Sequence, residues 1–138
     1  MSFTDIAATN AMFAKYFKGQ GPTHDVTEMR DGFAAIRLET DARHMRPGNM
    51  VNGPTQMHLA DTVAYVCVFT KLGITPMAVT SSLNMHFLRP CIGPGVRAEA
   101  AMVRIGKTLA VMDVRIFGDG HEDPASVATV TYALPKSG

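Results

Sequence analysis

Residues 52–71 form one long apolar segment that contains a single carboxylate, Asp61. Gly53 followed by Pro54 predicts a helix start, because proline at the first helical position gives up an N–H that would lack a partner anyway. From Gln56 onward the apolar side chains surround the helix axis, which is typical of a helix buried on nearly all sides. Aspartate is a poor helix-interior residue, and burying its charge without partners is costly. Asp61 is therefore the first candidate for a functional residue.

The rest of the sequence predicts one amphipathic helix and a series of strands. Apolar residues at three-and-four spacing indicate a helix over residues 4–18, with Thr4 as a candidate N-cap and Gly19 as its end. Alternating patterns and turn signals predict strands over residues 24–30, 33–40, 77–88, 96–105, 108–117 and 125–134, and a loop over residues 41–50. The short connections between the later strands favour antiparallel neighbours.

A single apolar helix combined with an antiparallel meander predicts an α+β fold. The economical arrangement is a curved sheet wrapped around the central helix, with the N-terminal helix as an accessory layer. The length of 138 residues is that of one domain, so we expect residues 1–138 to form a single domain.

Charge and cysteine content exclude several classes of protein. With 13 basic and 12 acidic side chains, the net charge of +1 gives no field that would attract nucleic acid or a membrane surface. The two cysteines have no repeated spacing, which argues against a disulfide framework or a zinc site. No apolar run approaches the ~20 residues of a membrane span, and Asp5 does not suit a secretory signal. We therefore expect a soluble, cytoplasmic protein without a bound metal.

The strand predicted over residues 77–88 alternates between two faces. Its apolar face would carry Val79, Leu83, Met85 and Phe87, and its polar face would carry Thr80, Ser82, Asn84 and His86. This prediction places Thr80, Ser82 and Asn84 side by side, where they are candidates for substrate contact.

Four motifs follow one another between residues 33 and 134. They are Gly53-x7-Asp61 with Leu59-Ala60-Asp61-Thr62, then Val79-Thr80-Ser81-Ser82-Leu83-Asn84-Met85, then Phe87-Leu88-Arg89-Pro90, then Gly106-Lys107-Thr108-Leu109-Ala110. In this order and spacing they resemble the hotdog-fold acyl-CoA thioesterases of the phenylacetate-degradation (PaaI-like) type. The resemblance implies a hotdog fold, thioester hydrolysis, and coenzyme A as part of the substrate with no other cofactor.

The resemblance also implies roles for individual residues. The Gly53 amide would polarise the thioester carbonyl, Asp61 would act as nucleophile or general base, and Thr80 would orient the attacking water. Thioester hydrolysis requires such a donor and such a base, and the free N–H groups of a helix start, at Gly53 and also Thr55, suit the first. His58 lies on the same helical face as Asp61, where it could tune the carboxylate or act as a base itself.

The sequence departs from the family pattern at three positions. Asn52 replaces the usual histidine of the catalytic turn, Pro54 replaces a second glycine, and Arg46 stands where many relatives carry asparagine. Proline has no N–H to donate, so Pro54 cannot serve as an oxyanion donor. Candidates for binding the acyl-CoA are Arg46, Thr55, His58, Ser82, Asn84, Arg89, Gly106 and Lys107.

The spacing of Gly53 and Asp61 restricts how they can cooperate. Eight positions of helix separate them by ~12 Å, whereas one reacting carbon must lie about 3 Å from each. A two-fold dimer with antiparallel central helices would bring Gly53 of one subunit to Asp61 of the other. The resemblance implies the same homodimer, with a tetramer as a further possibility.

Other interpretations of Asp61 remain open at this point. The carboxylate could simply pair with an arginine such as Arg37 or Arg104. On the same fold, a hydratase or dehydratase of acyl thioesters would need a histidine paired with an acid, for which His58 is the substitute. A non-catalytic acyl-CoA binding module is a third alternative.

Overall fold

A computed structural model describes residues 2–17 and 24–136 of the chain. Its elements are α1 (Ile6–Tyr16), β1 (His24–Arg30), β2 (Phe33–Glu39), β3 (Met45–Arg46), β4 (Met50–Val51), α2 (Gly53–Leu72), β5 (Val79–Phe87), β6 (Gly95–Ile105), β7 (Leu109–Gly118) and β8 (Ser126–Ala133). Outside residues 41–51 the order of helices and strands is the one predicted from the sequence, whereas the segment predicted as a loop contains a short 3₁₀ helix (Ala42–His44) and strands β3 and β4.

The first helix is capped one residue later than predicted. The carboxylate of Asp5, not the hydroxyl of Thr4, accepts the N–H of Ala8 at 2.9 Å. Aspartate is among the strongest N-cap residues, so it displaces the neighbouring threonine from that role. The predicted end of the helix at Gly19 lies outside the described residues.

The segment predicted as a loop over residues 41–50 contains a small hairpin. Strands β3 and β4 pair antiparallel, with Met45 opposite Val51. The turn between them uses Gly48 and Asn49, which have φ angles of 95° and 55°. These are the residue types that enter the left-handed region most readily, so the hairpin follows from its turn residues.

A six-stranded antiparallel sheet wraps around α2, in the order β1-β2-β6-β7-β8-β5. The inner face of the sheet contacts α2 through β2, β6, β7 and β8. Every side chain of α2 from Thr62 to Thr70 is buried, so this part of the helix is enclosed around its whole circumference, whereas Met57 and His58 nearer its start are exposed. The predicted hotdog architecture is therefore confirmed.

Strand β5 lies at one edge of the sheet and is largely exposed. Two of its apolar side chains, Val79 and Phe87, are 58% and 51% exposed. A long edge strand with apolar side chains presents unpaired backbone groups that another strand can bind.

Neither helix of the described ranges has the length and apolar content required to cross a membrane.

Candidate active site

The carboxylate of Asp61 is held through one of its two oxygens. The hydroxyl of Thr80 donates to Oδ1 at 2.6 Å, and the hydroxyl of Tyr132 donates to the same atom at 2.8 Å. Tyr132 also lies 3.0 Å from the backbone oxygen of Asp61. Within the described part of the chain no hydrogen bond reaches Oδ2. One oxygen of the carboxylate is thus fixed while the other is available to a substrate or water.

Asp61 opens into a cleft of about 570 Å³ with largely aromatic walls. Phe13 of α1 and Phe17, the residue after the end of that helix, form one wall, and Tyr65 lies edge-on to both rings, with ring centroids 6.0 and 6.2 Å away. On its other side Tyr65 stacks on Tyr132 at 5.6 Å. A carboxylate beside aromatic walls suits a substrate that carries an apolar group next to a reactive carbonyl.

A β-bulge places Thr80 at this cleft and turns its predicted neighbours away. The register between β5 and β8 shifts between Thr80 and Ser82, so that Thr80 pairs with Tyr132 while Ser82 pairs with Thr131. A bulge inserts one residue into a strand and reverses the alternation beyond it. The prediction that Thr80, Ser82 and Asn84 share one face is therefore wrong.

Ser82 and Asn84 line a different cleft, of about 830 Å³, on the outer face of the sheet. His86, Glu99, Asp113 and Arg115 line it with them. The sheet separates this cleft from Asp61, so the structure does not bring Ser82 or Asn84 to the Asp61 site of the same chain.

The start of α2 is organised by Asn52. Its side-chain oxygen accepts the N–H of Thr55 at 2.8 Å, and its side-chain nitrogen donates to the carbonyl of Arg43 at 3.3 Å. Gly53 is the first helical residue, and no hydrogen bond from its N–H occurs within residues 2–17 and 24–136. The Thr55 N–H is therefore already occupied, and the expectation that it serves as a second oxyanion donor is wrong.

Gly53 opens into its own cleft, of about 420 Å³, at the start of α2. Arg46 and Arg89 line this cleft together with Gly53 and Phe87, so the structure brings three sequence candidates to one place. The guanidinium of Arg89 donates to the carbonyl of Pro124, which anchors its side chain. A free N–H beside two cations suits an anionic or strongly polarised ligand.

The two clefts lie at opposite ends of the edge strand β5. Val79 and Thr80 at its start line the Asp61 cleft, whereas Phe87 at its end lines the Gly53 cleft. Gly53 and Asp61, which the helical spacing predicts to be too far apart for one site within a chain, thus line two separate clefts.

Of the remaining candidate residues, His58 lies at the Asp61 cleft, whereas Gly106 and Lys107 lie away from both clefts. His58 lines the Asp61 cleft, where desolvation lowers its pKa against the opposing effect of the Asp61 charge. Desolvation therefore favours the neutral imidazole. Gly106 and Lys107 lie in the exposed β6–β7 turn and line neither the Asp61 cleft nor the Gly53 cleft of this chain.

The structure also answers the ion-pair interpretation of Asp61. Arg37 pairs with Asp119 at 2.5 Å, and among the described residues neither Arg37 nor Arg104 forms an ion pair with Asp61. In the same residues no group of three or more histidine, cysteine or carboxylate side chains is arranged to hold a metal ion.

Two polar residues near these clefts were missed in the sequence. Tyr132 appeared only as part of a strand, because its contact with Asp61 depends on the pairing of β8 with β5 across a long stretch of sequence. Gln56 is buried, accepts from the hydroxyl of Ser126 at 2.7 Å and donates to the Val51 carbonyl at 3.2 Å. Both residues are polar, but no local sequence pattern indicated that Tyr132 would bind Asp61 or that Gln56 would bind Ser126 and Val51.

We predict that Asn52→Ala lowers the free energy of unfolding by about 1 kcal/mol, because it removes the N-cap of α2. Urea denaturation of both proteins measures the difference. Asn52→Asp keeps an oxygen acceptor at the cap and is expected to retain most of the stability. Equal stability of Asn52→Ala and the wild type would contradict the capping role.

The chain is similar to known proteins in both sequence and fold. The sequence model of the thioesterase superfamily matches residues 48–125. A Thermoplasma acidophilum protein named as a candidate esterase is 34% identical over 111 residues, which cover 80% of this chain and 82% of that protein. The acyl-coenzyme A thioesterase PaaI of Escherichia coli K12 is 32% identical over 94 residues, which cover 67% of this chain and 64% of that protein.

A solved structure supports the same relationship. The crystal structure of a candidate thioesterase from Silicibacter sp. TM1040 superposes with a TM-score of 0.86 at 31% identity, over 98% of this chain and 94% of that chain. Together these matches confirm the resemblance and the fold that the sequence motifs predict.

Proposed function

Since the chain belongs to the thioesterase superfamily, we propose that it hydrolyses the thioester bond of an acyl- or aryl-CoA to the free acid and coenzyme A. The observation that carries the proposal is the Asp61 carboxylate, held by Thr80 and Tyr132 at the wall of an aromatic cleft. A relative named as an acyl-coenzyme A thioesterase supports coenzyme A as the leaving group.

In the proposed reaction Asp61 acts on the carbonyl carbon in one of two ways. As a general base it removes a proton from water, the water oxygen bonds to the carbonyl carbon, and the carbon–sulfur bond breaks to release the coenzyme A thiolate. As a nucleophile it forms an acyl anhydride with release of the same thiolate, and water then opens the anhydride. In both routes the Gly53 N–H stabilises the negative carbonyl oxygen, and the Thr80 hydroxyl, which donates to Asp61, can accept from the water.

We further propose that the catalytic unit is a two-fold homodimer formed through β5. In an antiparallel pair of β5 strands, the start of one strand lies beside the end of the other. Val79 and Thr80 of one subunit would then approach Phe87 of its partner, which joins the Asp61 cleft of the first to the Gly53 cleft of the second. The exposed apolar side chains of this edge strand support such an interface.

The proposal assigns the coenzyme to the cleft at the start of α2. Arg46 and Arg89 line the same cleft as Gly53, and their charges suit the coenzyme A phosphates, which are joined through the pantetheine arm to the thioester that the Gly53 N–H would contact. Gly106 and Lys107 line neither cleft of this chain, so they could contact the coenzyme only from another subunit.

A thiol-release assay on the purified protein tests the proposal. Short, aryl and long acyl-CoAs are offered in parallel, and thiol and free acid are expected in equal amounts for at least one class. Enoyl-CoA absorbance is followed in the same samples, because a hydratase would change it without releasing thiol. Binding of all these thioesters without any thiol release would contradict the proposal and favour a binding module.

A further inference from the structure

We propose that Tyr132 is a positioning residue that, together with Thr80, fixes Oδ1 of Asp61 and leaves Oδ2 as the reacting oxygen. This inference rests on the proposed thioesterase function and assigns a role within that site to a residue outside the sequence motifs.

The geometry of Tyr132 suits a fixed support. Its side chain is 4% exposed, and its ring is stacked on Tyr65 with an interplanar angle of 24°. Strand β8 holds its backbone between Ala110 of β7 and Thr80 of β5. The hydroxyl therefore has little freedom to leave the carboxylate that it contacts.

The two hydroxyls together determine which carboxylate oxygen can react. The hydroxyl of Thr80 on β5 and the hydroxyl of Tyr132 on β8 both donate to Oδ1, and within the described residues no hydrogen bond is made to Oδ2. A hydrogen bond to a charged acceptor is stronger than one between neutral groups, so two such bonds hold the side chain in one orientation. Oδ2 is the oxygen left for a proton of water or for the carbonyl carbon.

The electrostatic environment keeps Tyr132 a donor. Burial raises the pKa of Tyr132, and the charge of Asp61 raises it further, whereas the neighbouring Thr80 hydroxyl acts in the opposite direction. The phenol stays protonated throughout the physiological range, so it supports the carboxylate and does not compete with it as a base.

The test is steady-state kinetics of Tyr132→Phe on the substrate that the wild type cleaves. Phenylalanine keeps the ring and its packing but removes the hydroxyl. We expect kcat to fall by roughly 10- to 100-fold, the scale of one hydrogen bond to a charged group, with KM within about twofold. Tyr16→Phe is the matched control, since Tyr16 is exposed on α1 and lies outside the Asp61 cleft.

A second variant tests the shared oxygen independently of Tyr132. Thr80→Val removes the other donor and is expected to lower kcat with a similarly small effect on KM. Because both donors act on Oδ1, the combined loss in Thr80→Val/Tyr132→Phe is expected to be at least about threefold smaller than the product of the two single losses.

The outcomes separate this proposal from the proposed function. If the wild type cleaves no thioester, the function itself is wrong. If the wild type is active but Tyr132→Phe keeps its kcat, changes only KM, or combines multiplicatively with Thr80→Val, the positioning role is overturned and the thioesterase assignment stands. Melting temperatures of all variants verify that each protein is folded.

Discussion

The Asp61→Asn variant is expected to lose about 10³-fold or more of kcat/KM for thioester hydrolysis. Loss of a general base or of an attacking carboxylate removes rate on this scale. Asparagine has the same shape, and its carbonyl oxygen can still accept from Thr80 and Tyr132. The loss should therefore fall on the chemical step, with the fold and the melting temperature preserved.

Thiol release under saturating and limiting substrate measures this loss. Asp113→Asn is the matched control, because it makes the same charge change on the outer face of the sheet. It should retain the activity of the wild type. An Asp61→Asn protein that hydrolyses thioesters as fast as the wild type would remove Asp61 from the mechanism and with it the role proposed for Tyr132.

Much of the fold was predictable because it depends on local patterns. The apolar side chains all around α2 indicated a buried helix, and the structure buries residues such as Leu59 and Phe69 fully. The short connections indicated an antiparallel sheet, which the strand register confirms. Each of these features is encoded within ten to twenty neighbouring residues, where periodicity and turn chemistry are informative.

The errors arise where a position depends on a distant partner. Thr80 faces Asp61 because a bulge in β5 shifts the pairing with β8, and simple alternation cannot indicate a bulge. Tyr132 reaches the same carboxylate only through that pairing. Thr55 was expected to donate its N–H to the thioester carbonyl, but that N–H is donated to the side-chain oxygen of Asn52. The sequence of a helix start is compatible with either partner, so it could not distinguish them.

The separation of Gly53 and Asp61 leads to a decisive experiment on the proposed dimer. Gly53→Pro removes the N–H proposed as oxyanion donor, and we expect each single variant, Gly53→Pro or Asp61→Asn, to be nearly inactive alone. Proline is favoured at the first helical position, and Asn52 already has the extended backbone, with φ −72° and ψ 159°, that a residue before proline adopts. The substitution therefore removes a donor at a position that suits proline, and because residue 53 itself precedes Pro54, the melting temperatures of Gly53→Pro and Gly53→Ala verify that α2 stays in place.

Subunits of the two inactive variants, unfolded together and refolded at equal amounts, should recover about a quarter of the wild-type activity. Random pairing makes half of the dimers hybrid, and each hybrid has one site with an intact Gly53 from one chain and an intact Asp61 from the other. If both residues served a site within one chain, every site in the mixture would lack one of them and no activity would return.

Gly53→Ala is the comparison for the proline variant: its Cβ would lie 3.6 Å from the Phe87 ring, an ordinary contact, and its N–H is kept. It should lose less activity than Gly53→Pro, because the two changes differ chiefly in the hydrogen bond donated to the carbonyl oxygen.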